Sequence, residues 1–372
     1  MLWLRLLLVS ALVATTLLAP LEAAQAWAGP KISVLVTGLH NPRGLKFGPD
    51  RELFVAEAGL GGDQSSIGLC PQVPGPIGPY TGGFTSRVSS IDERGRRTTV
   101  VDHLPSAINA VHDVLGAMDV AFVGDRLYVL IAGAGCSHGL PGTSNGIVRV
   151  NRTGTTSLIA DLSAFWHTHP ASNPVPSADD FEPDGSPYSF VWLDGSFYVT
   201  EPNSSQVDRV SLSGRAERII DMSNLHGNTW VGPTSITARG DNLYLGNLTP
   251  FFPLVQGAAN VFRLTPRGEL STVASGLTAV LGVAFDRNGR LYALETSATG
   301  GPGPGLVPNT GRVVRVSRSG GLIPVVTGLD FPSAMTFGPD GNLYISNHGF
   351  GPQGTTGGQV LKVALDDDRG DD

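Results

Sequence analysis

Short apolar runs separated by polar turns recur along the whole chain. Residues 41–57 contain two such runs on either side of Gly48-Pro49-Asp50, and residues 331–347 repeat the arrangement around Gly338-Pro339-Asp340. Glycine supplies a positive φ angle and proline presets φ in the turn, so each segment predicts a β-hairpin. The chain therefore repeats one local structure at positions far apart in sequence.

The second run of the hairpin has six copies, each with an aromatic residue at its centre. These copies are Leu53-Phe54-Val55, Leu127-Tyr128-Val129, Phe197-Tyr198-Val199, Leu243-Tyr244-Leu245, Leu291-Tyr292-Ala293 and Leu343-Tyr344-Ile345. A segment of alternating apolar and polar residues follows each copy, as in residues 146–150, and such alternation is typical of a half-buried strand. After a polar turn, five of the six repeats continue into a fourth strand.

The sixth repeat has no fourth strand of its own, and the N-terminal region supplies a candidate for it. Residues 32–39 closely copy residues 323–329, the predicted fourth strand of the fifth repeat. Six four-stranded units, one of them closed by both ends of the chain, describe a ring. The sequence therefore predicts an all-β fold, a six-bladed β-propeller over residues 29–365 whose last blade is closed by the N-terminal strand.

Residues 1–28 have the features of a secretory signal peptide. Arg5 precedes an apolar run over residues 6–18, and Ala26-Trp27-Ala28 offers a small-residue cleavage site. The run is shorter than the roughly 20 apolar residues that span a bilayer, and no later segment approaches that length. We therefore expect a secreted or periplasmic protein without a membrane span. Residues 366–372 are predicted to form an acidic disordered tail.

Charge narrows the classes of partner. The chain has 372 residues and a formal net charge of −7, with lysine and arginine scattered along the sequence. An acidic chain of this kind argues against binding to nucleic acid or to an anionic membrane. We expect a small molecule or an extracellular protein as the partner, and a monomer as the oligomeric state.

The two cysteines fall in corresponding loops of the first two predicted blades. Cys70 and Cys136 are the only cysteines of the chain. Export would bring them into an oxidising compartment, where pairing is permitted. We predict a disulfide that joins the two loops, and two unpaired thiols are the alternative.

The connections between predicted strands differ between the two sides of the ring. Connections from strand two to strand three, and from strand four to the next blade, share one side, here called the loop face. The remaining connections lie on the opposite side, here called the turn face. Loop-face connections are long, as in residues 58–86 and 163–186, whereas turn-face connections are short. Because long loops usually carry function, we predict ligand binding on the loop face.

Polar side chains end five of the six second strands. With two neighbours on the same face, they form a set of ligand-binding candidates: Arg43, Glu57, Glu201, Asn247, Glu295, Asn347 and His348. A ring of oxygen-bearing side chains can bind a polar ligand or a cation such as calcium. The alternative is that these side chains accept hydrogen bonds from loop amides. No catalytic set and no metal-ligand set is recognisable, so no cofactor is expected and calcium is left open.

An ordered set of motifs resembles the ScyD/ScyE family over nearly all of the mature chain. The motifs are residues 38–45, residues 53–59 with Gly61-Gly62, Ser186-Pro187-Tyr188-Ser189, Pro233-Thr234-Ser235 and residues 243–249. The family comprises exported, NHL-like propeller proteins named after members encoded in clusters for the pigment scytonemin. The resemblance implies the fold and export, and it implies no particular activity.

A broader resemblance is to the SMP-30/gluconolactonase class of calcium-dependent lactonases. In that class, metal-binding Asp and Asn side chains sit at the start of inner strands, just ahead of a glycine. The comparable positions here are Arg43, Met118, Tyr188, Thr234, Leu281 and Ser333, and none is an acid or an asparagine. This departure argues against lactonase chemistry.

Two functions are consistent with these patterns. The first is an exported propeller that binds a small ligand or a protein partner on its loop face and performs no catalysis. The alternative is an extracellular metal-dependent hydrolase or metabolite-tailoring enzyme that uses Glu57, Glu201, Glu295 and nearby histidines.

Overall fold

The computed structural model describes residues 29–173, 181–225, 231–249, 254–300, 305–349 and 357–365. The predicted signal peptide and the predicted acidic tail lie outside the described residues.

Almost all of the regular structure is β-strand. The strands in chain order are β1 (Lys31–Leu39); β2 (Pro42–Phe47), β3 (Leu53–Glu57), β4 (Thr81–Ile91), β5 (Arg97–Ile108) and β6 (Val114–Leu115) in blade 1; β7 (Ala117–Val123), β8 (Arg126–Ile131), β9 (Gly146–Val150) and β10 (Thr156–Asp161) in blade 2; β11 (Ser189–Leu193), β12 (Ser196–Glu201), β13 (Gln206–Ser211) and β14 (Ala216–Asp221) in blade 3; β15 (Gly232–Arg239), β16 (Asn242–Leu248), β17 (Ala259–Leu264) and β18 (Leu270–Leu277) in blade 4; β19 (Val280–Phe285), β20 (Leu291–Glu295), β21 (Gly311–Val316) and β22 (Leu322–Leu329) in blade 5; and β23 (Ala334–Phe337), β24 (Leu343–Asn347) and β25 (Gly358–Ala364) in blade 6.

The predicted six-bladed propeller is confirmed, including the closure of its last blade. Six antiparallel sheets follow one another along the chain, and the last has the strand order β1-β25-β24-β23. β1 pairs with β25 from Lys31 opposite Ala364 to Leu39 opposite Gly358. The hydrogen bonds of β1 thus fasten the beginning of the ring to its end.

Of eight apolar clusters among the described residues, six lie at the contacts between neighbouring blades, one at each contact, and two lie under the loop face. At the contact of blades 5 and 6, for example, Leu294 and Val313 pack against Met335 and Ile345. Ring contacts repeat near the turn face: Phe47 with Tyr344, Phe54 with Phe122, and Tyr292 with Phe337 each have ring centroids 5.0 Å apart. The aromatic residue that marks each repeat in the sequence therefore joins one blade to the next.

Blades 1 and 2 depart from the repeat on the loop face. Blade 1 has an additional short strand, β6, beyond its fourth strand. Helix α1 (Leu162–Thr168) occupies part of the predicted loop after blade 2, and the Asp161 side chain accepts a hydrogen bond from the Ala164 amide at 2.9 Å. An aspartate at this position satisfies one free amide of the first helical turn. No helix among the described residues is long and apolar enough to cross a membrane.

Candidate functional site on the loop face and in the channel

The five polar residues that end the second strands are buried, and each accepts a hydrogen bond from a backbone amide, four of these in loops and one at the start of β17. The pairs are Glu57 with the His40 amide (2.8 Å), Glu201 with Ser186 (2.9 Å), Asn247 with Asn260 (2.7 Å), Glu295 with Thr278 (2.7 Å) and Asn347 with Asp330 (3.1 Å). In four of the five, the amide belongs to the connection that leads into the same blade. These side chains therefore hold the start of the blade against the end of its second strand.

All three of the carboxylates have further partners. Ser89 Oγ donates to Glu57 Oε1 at 2.5 Å, and the Arg312 Nε donates to a Glu295 oxygen. Burial raises the pKa of Glu201, although the hydroxyl of Ser204 donates to it. A ligand on the loop face would reach these oxygens only by displacing existing hydrogen bonds.

The remaining candidates differ in their access to solvent. His348 is partly exposed, and its Nε2 lies 3.7 Å from Asp330 Oδ2. Arg43 is only 1% exposed. Its Nη2 donates to Asp113 Oδ1 at 2.8 Å and to the Val114 carbonyl at 2.6 Å. Arg43 thus holds the turn between β5 and β6 over the start of the first inner strand.

The surroundings of Arg43 are buried and polar. Burial raises the pKa of Asp113, against the opposing effect of the Arg43 charge. The Tyr188 hydroxyl lies against the same guanidinium and donates to the Ser333 carbonyl at 2.7 Å, and burial raises the pKa of Tyr188. These contacts connect blades 1, 3 and 6 at the loop end of the channel.

The predicted disulfide is confirmed. Cys70 and Cys136 are bonded, with their Cα atoms 6.3 Å apart, and they are 66 positions apart in the sequence. The Ser66 hydroxyl also donates to the Cys136 carbonyl. The loops of blades 1 and 2 are therefore joined by a covalent bond and by hydrogen bonds.

A buried cluster extends this connection to blade 3. We call Tyr80, His138 and Glu182 the clasp. The Tyr80 hydroxyl donates to Glu182 Oε1 at 2.8 Å, and His138 Nε2 lies 3.1 Å from Glu182 Oε2. His138 Nδ1 lies 2.6 Å from the Ala134 carbonyl, which only accepts, so this nitrogen carries hydrogen.

The clasp contains an ion pair. Burial acts to lower the pKa of His138, but its hydrogen bond with Glu182 and the charge of that carboxylate outweigh burial and raise the pKa. Both ring nitrogens then donate, one to the carbonyl and one to the carboxylate. Asp184 reinforces the contact between blades 2 and 3, because it accepts from the Ser137 amide at 2.7 Å and from its hydroxyl at 2.6 Å.

The central channel contains a cavity of about 30 Å³, room for roughly two water molecules. The inner strands of all six blades line it, among them with Gly44, Asp119, Ser189, Ser235, Gly282 and Ala334. Asp119 Oδ2 accepts from Ser189 Oγ at 2.7 Å, and its Oδ1 accepts from the Val120 amide at 2.8 Å. Burial raises the pKa of Asp119, against the charge of Lys46.

Asp119 is the site residue that the sequence patterns missed. The comparison with the lactonase class points to Met118, the residue before Asp119, as the inner-strand position of blade 2. Ala117 pairs with Ile131 and Asp119 with Leu130, so a bulge at Met118 shifts the alternation by one residue. The inner strand of blade 1, β2, also begins with a register shift, between Pro42 and Leu45.

No three His, Cys, Asp or Glu side chains converge on a metal position within the described part of the chain. That no cofactor is needed stays a prediction, with calcium left open. The buried carboxylates described above are spread over several blades, and their hydrogen bonds differ from one to the next.

No family model matches the chain, and no curated protein matches it. Solved structures share its fold. A gluconolactonase from Xanthomonas campestris has a TM-score of 0.54 at 14% identity, covering 91% of this chain and 90% of that chain. A glucose dehydrogenase has a TM-score of 0.55 at 15% identity, covering 91% and 100%. A putative oxidoreductase (glucose dehydrogenase) from Thermus thermophilus has a TM-score of 0.53 at 15% identity, covering 90% and 100%. The neighbours are six-bladed NHL/SMP-30-like propellers, and at these identities the likeness shows the fold alone.

Proposed function

We propose that the chain is an exported binding protein, without catalysis of its own, that engages an extracellular protein through the loop face of blades 1 to 3. The observation that carries the proposal is a set of exposed apolar side chains on loops that are cross-linked to one another. The disulfide and the resemblance to the exported ScyD/ScyE family support the extracellular setting.

The exposed apolar side chains border the clasp and the disulfide. Ile67 is 65% exposed, Leu69 71%, Phe84 44% and Phe181 45%. Ile67 and Leu69 lie between Ser66 and Cys70, and Phe181 precedes Glu182. Large apolar side chains held at the surface are the usual anchors of a protein interface.

The support beneath these residues favours binding. Loops that are already fixed by a disulfide and by buried hydrogen bonds lose little conformational freedom when a partner docks. The clasp holds three loops from three blades in one arrangement. The loop face is thereby preorganised, and the short turns of the opposite face carry no comparable loops.

A photo-crosslinking amino acid at Leu69 tests the proposal. Placed in the full chain and added to the medium of the source organism, it is expected to give a discrete protein adduct that excess unmodified protein suppresses. Leu158, on the outer strand β10 and 53% exposed, is the matched control position. Equal labelling at both positions would contradict a loop-face site. A rise in melting temperature with low-molecular-weight medium components, without any adduct, would indicate a small ligand instead.

A second function is favoured by one observation, the carboxylate of Asp119 in the channel cavity. The gluconolactonase among the structural neighbours makes metal-dependent hydrolysis or metabolite tailoring a candidate activity for this chain. The cavity has room for an ion and water but not for a sugar. Stoichiometric calcium or zinc in the purified protein, lost in Asp119→Asn and retained in Glu201→Ala, would favour this function over binding alone.

A further inference from the structure

Exposed arginines form a ring around the outer edge of the turn face. They lie in the third strands or in the turns between third and fourth strands of blades 1 to 5, and we call them the basic rim: Arg94, Arg96, Arg152, Arg215, Arg263, Arg267 and Arg318. Rim arginines of different blades lie far apart in the sequence. The fold brings them to one level of the ring because each occupies the same part of its blade.

The rim is continuous from blade to blade. A Cβ built on Gly95 would lie 2.1 Å from the Leu35 carbonyl, one on Gly214 2.2 Å from Ile159, and one on Gly268 2.7 Å from Ile219. In each case the turn lies against the fourth strand of the preceding blade. The arginine-bearing turns therefore follow one another around the edge, without deep gaps between them.

Most of the rim charge has no acidic partner within the described part of the chain. Arg152, Arg215, Arg263 and Arg267 are exposed and form no ion pair there, whereas Arg96 pairs with Asp92 at 2.7 Å. A guanidinium in water presents a planar set of donors that matches carboxylate and sulfate groups. Because these guanidinium groups are already at the surface, an anionic partner can reach them at little cost in desolvation.

The centre of the turn face has only a small excess of negative charge, because its turns and the adjoining strand ends carry six aspartates and Glu52 against five arginines: Arg51, Arg126, Arg239, Arg287 and Arg290. Every turn between the first and second strands carries an aspartate: Asp50, Asp125, Asp194, Asp241, Asp286 and Asp340. A flat anionic membrane laid on this face would meet these carboxylates together with the rim. The edge itself carries seven arginines against the exposed Glu93, Glu217 and Glu269 of the same segments. A linear chain that follows the edge would meet this excess of positive charge and avoid the central aspartates, so the charge pattern favours a polymer over a bilayer.

Nucleic acid fits the rim less well than a polysaccharide. Single-stranded nucleic acid is held in large part by stacking of its bases on aromatic side chains. The exposed phenylalanines among the described residues, Phe84 and Phe181, lie in loop-face segments, and the exposed large apolar residues near the rim are the aliphatic Leu158 and Leu212. The rim offers charge and hydrogen-bond donors but no stacking surface.

We infer that the basic rim binds a linear acidic polysaccharide of the carboxylated or sulfated class. The net charge of −7 does not prevent this, because interactions beyond roughly 8 Å are screened at physiological ionic strength. The site lies on the side of the ring opposite the proposed protein-binding loops, and neither proposal depends on the other.

Binding of heparin and of polygalacturonate to the full chain tests the inference, with neutral dextran as the control. We expect both acidic polymers to bind at 50 mM NaCl and to bind more weakly as salt rises, because bound cations are released. Arg263→Ser with Arg267→Ser is expected to lower the affinity roughly 25-fold, about 5-fold for each arginine. The matched pair Arg51→Ser with Arg126→Ser removes the same charge from exposed central turns and is expected to lower it less than about 2-fold.

Several results would overturn the inference. Absence of binding at 50 mM NaCl is one, and equal weakening by the two double variants is another, since it would indicate a general effect of net charge. Binding to vesicles with 30% phosphatidylserine but to neither polysaccharide would assign the rim to membranes. Tighter binding of single-stranded DNA than of both polysaccharides would assign it to nucleic acid. If the first double variant does not fold, Arg152→Ser with Arg215→Ser in blades 2 and 3 gives the same comparison.

Discussion

The two faces of the ring are built from different kinds of contact. On the turn face, the same aromatic pair and the same short turn recur from blade to blade, as in Phe47 with Tyr344 and Phe337 with Tyr292. On the loop face, several buried contacts occur only once among the described residues: one disulfide, one histidine-glutamate pair and one arginine that holds one turn. Repeated contacts each contribute a little to stability, whereas the loss of a unique buried contact leaves a charge without its partner.

The largest difference in the loss of stability is expected between a variant of the clasp and a variant of an exposed ion pair on the turn face. His138→Ala leaves Glu182 buried without its cation and is expected to lower the free energy of unfolding by about 3–5 kcal/mol. Lys362→Ala removes the partner of Asp340, 2.8 Å away at the surface, and is expected to cost about 1 kcal/mol or less. Chemical denaturation of both variants measures the difference, and equal losses would contradict the distinction between the faces.

Loss of the disulfide is expected to have the next largest effect. Cys70 and Cys136 close a loop over 66 positions, and the double variant Cys70→Ser with Cys136→Ser is expected to lower the free energy of unfolding by about 2–4 kcal/mol. The wild type measured with and without reductant provides the comparison. An unchanged denaturation midpoint in both experiments would show that the hydrogen bonds of the clasp hold the loops by themselves.

Substitution of Asp208 is expected to raise the free energy of unfolding instead of lowering it. This buried carboxyl accepts from Trp166 Nε1 at 2.8 Å, and burial raises its pKa from 3.8 to about 7. The folded pKa lies above the unfolded one, so the wild type loses stability as pH rises from about 4 to about 7. Asparagine does not titrate, and Asp208→Asn is expected to be about 2 kcal/mol more stable than the wild type at pH 8 and equal to it near pH 4.

A matched variant in the same blade controls for the removal of charge. The pKa of Asp221 is lowered, because hydrogen bonds from Ser223 and Ser172 outweigh its burial. Asp221→Asn is therefore expected to lose stability, by about 1 kcal/mol, at pH 8. A gain in both variants would indicate a general effect of net charge rather than the burial of Asp208.

The smallest losses of stability are expected for the aromatic pairs of the turn face, and equivalent pairs should lose the same amount. Phe47 has its ring centroid 5.0 Å from that of Tyr344, and Phe337 lies 5.0 Å from Tyr292. Phe47→Leu and Phe337→Leu keep most of the apolar surface and lose the ring contact, so each is expected to cost about 1 kcal/mol. Thermal melts of the two variants should shift equally, and a difference several times larger in one would show that the blade contacts are not equivalent.

The sequence predicts more of the fold than of the candidate site. The six copies of the aromatic run and the match between residues 32–39 and 323–329 gave the blade number and the strand that closes the ring. The pairing of Cys70 with Cys136 followed from the position of both in corresponding loops. The clasp and Asp119 were not predicted, because His138 and Glu182 share no motif and the position comparable to the lactonase ligands is Met118, where the strand has a bulge one residue before Asp119.

The sequence by itself determined what depends on local repetition: the strands, their turns, the number of blades and the closure of the ring. These features follow from the period of apolar residues and from turn chemistry, both of which act over a few residues. Only the tertiary structure decided which distant side chains meet, such as Tyr80, His138 and Glu182 across three blades. It also decided that arginines scattered through an acidic chain gather on one edge, because burial and electrostatics act through space and not along the sequence.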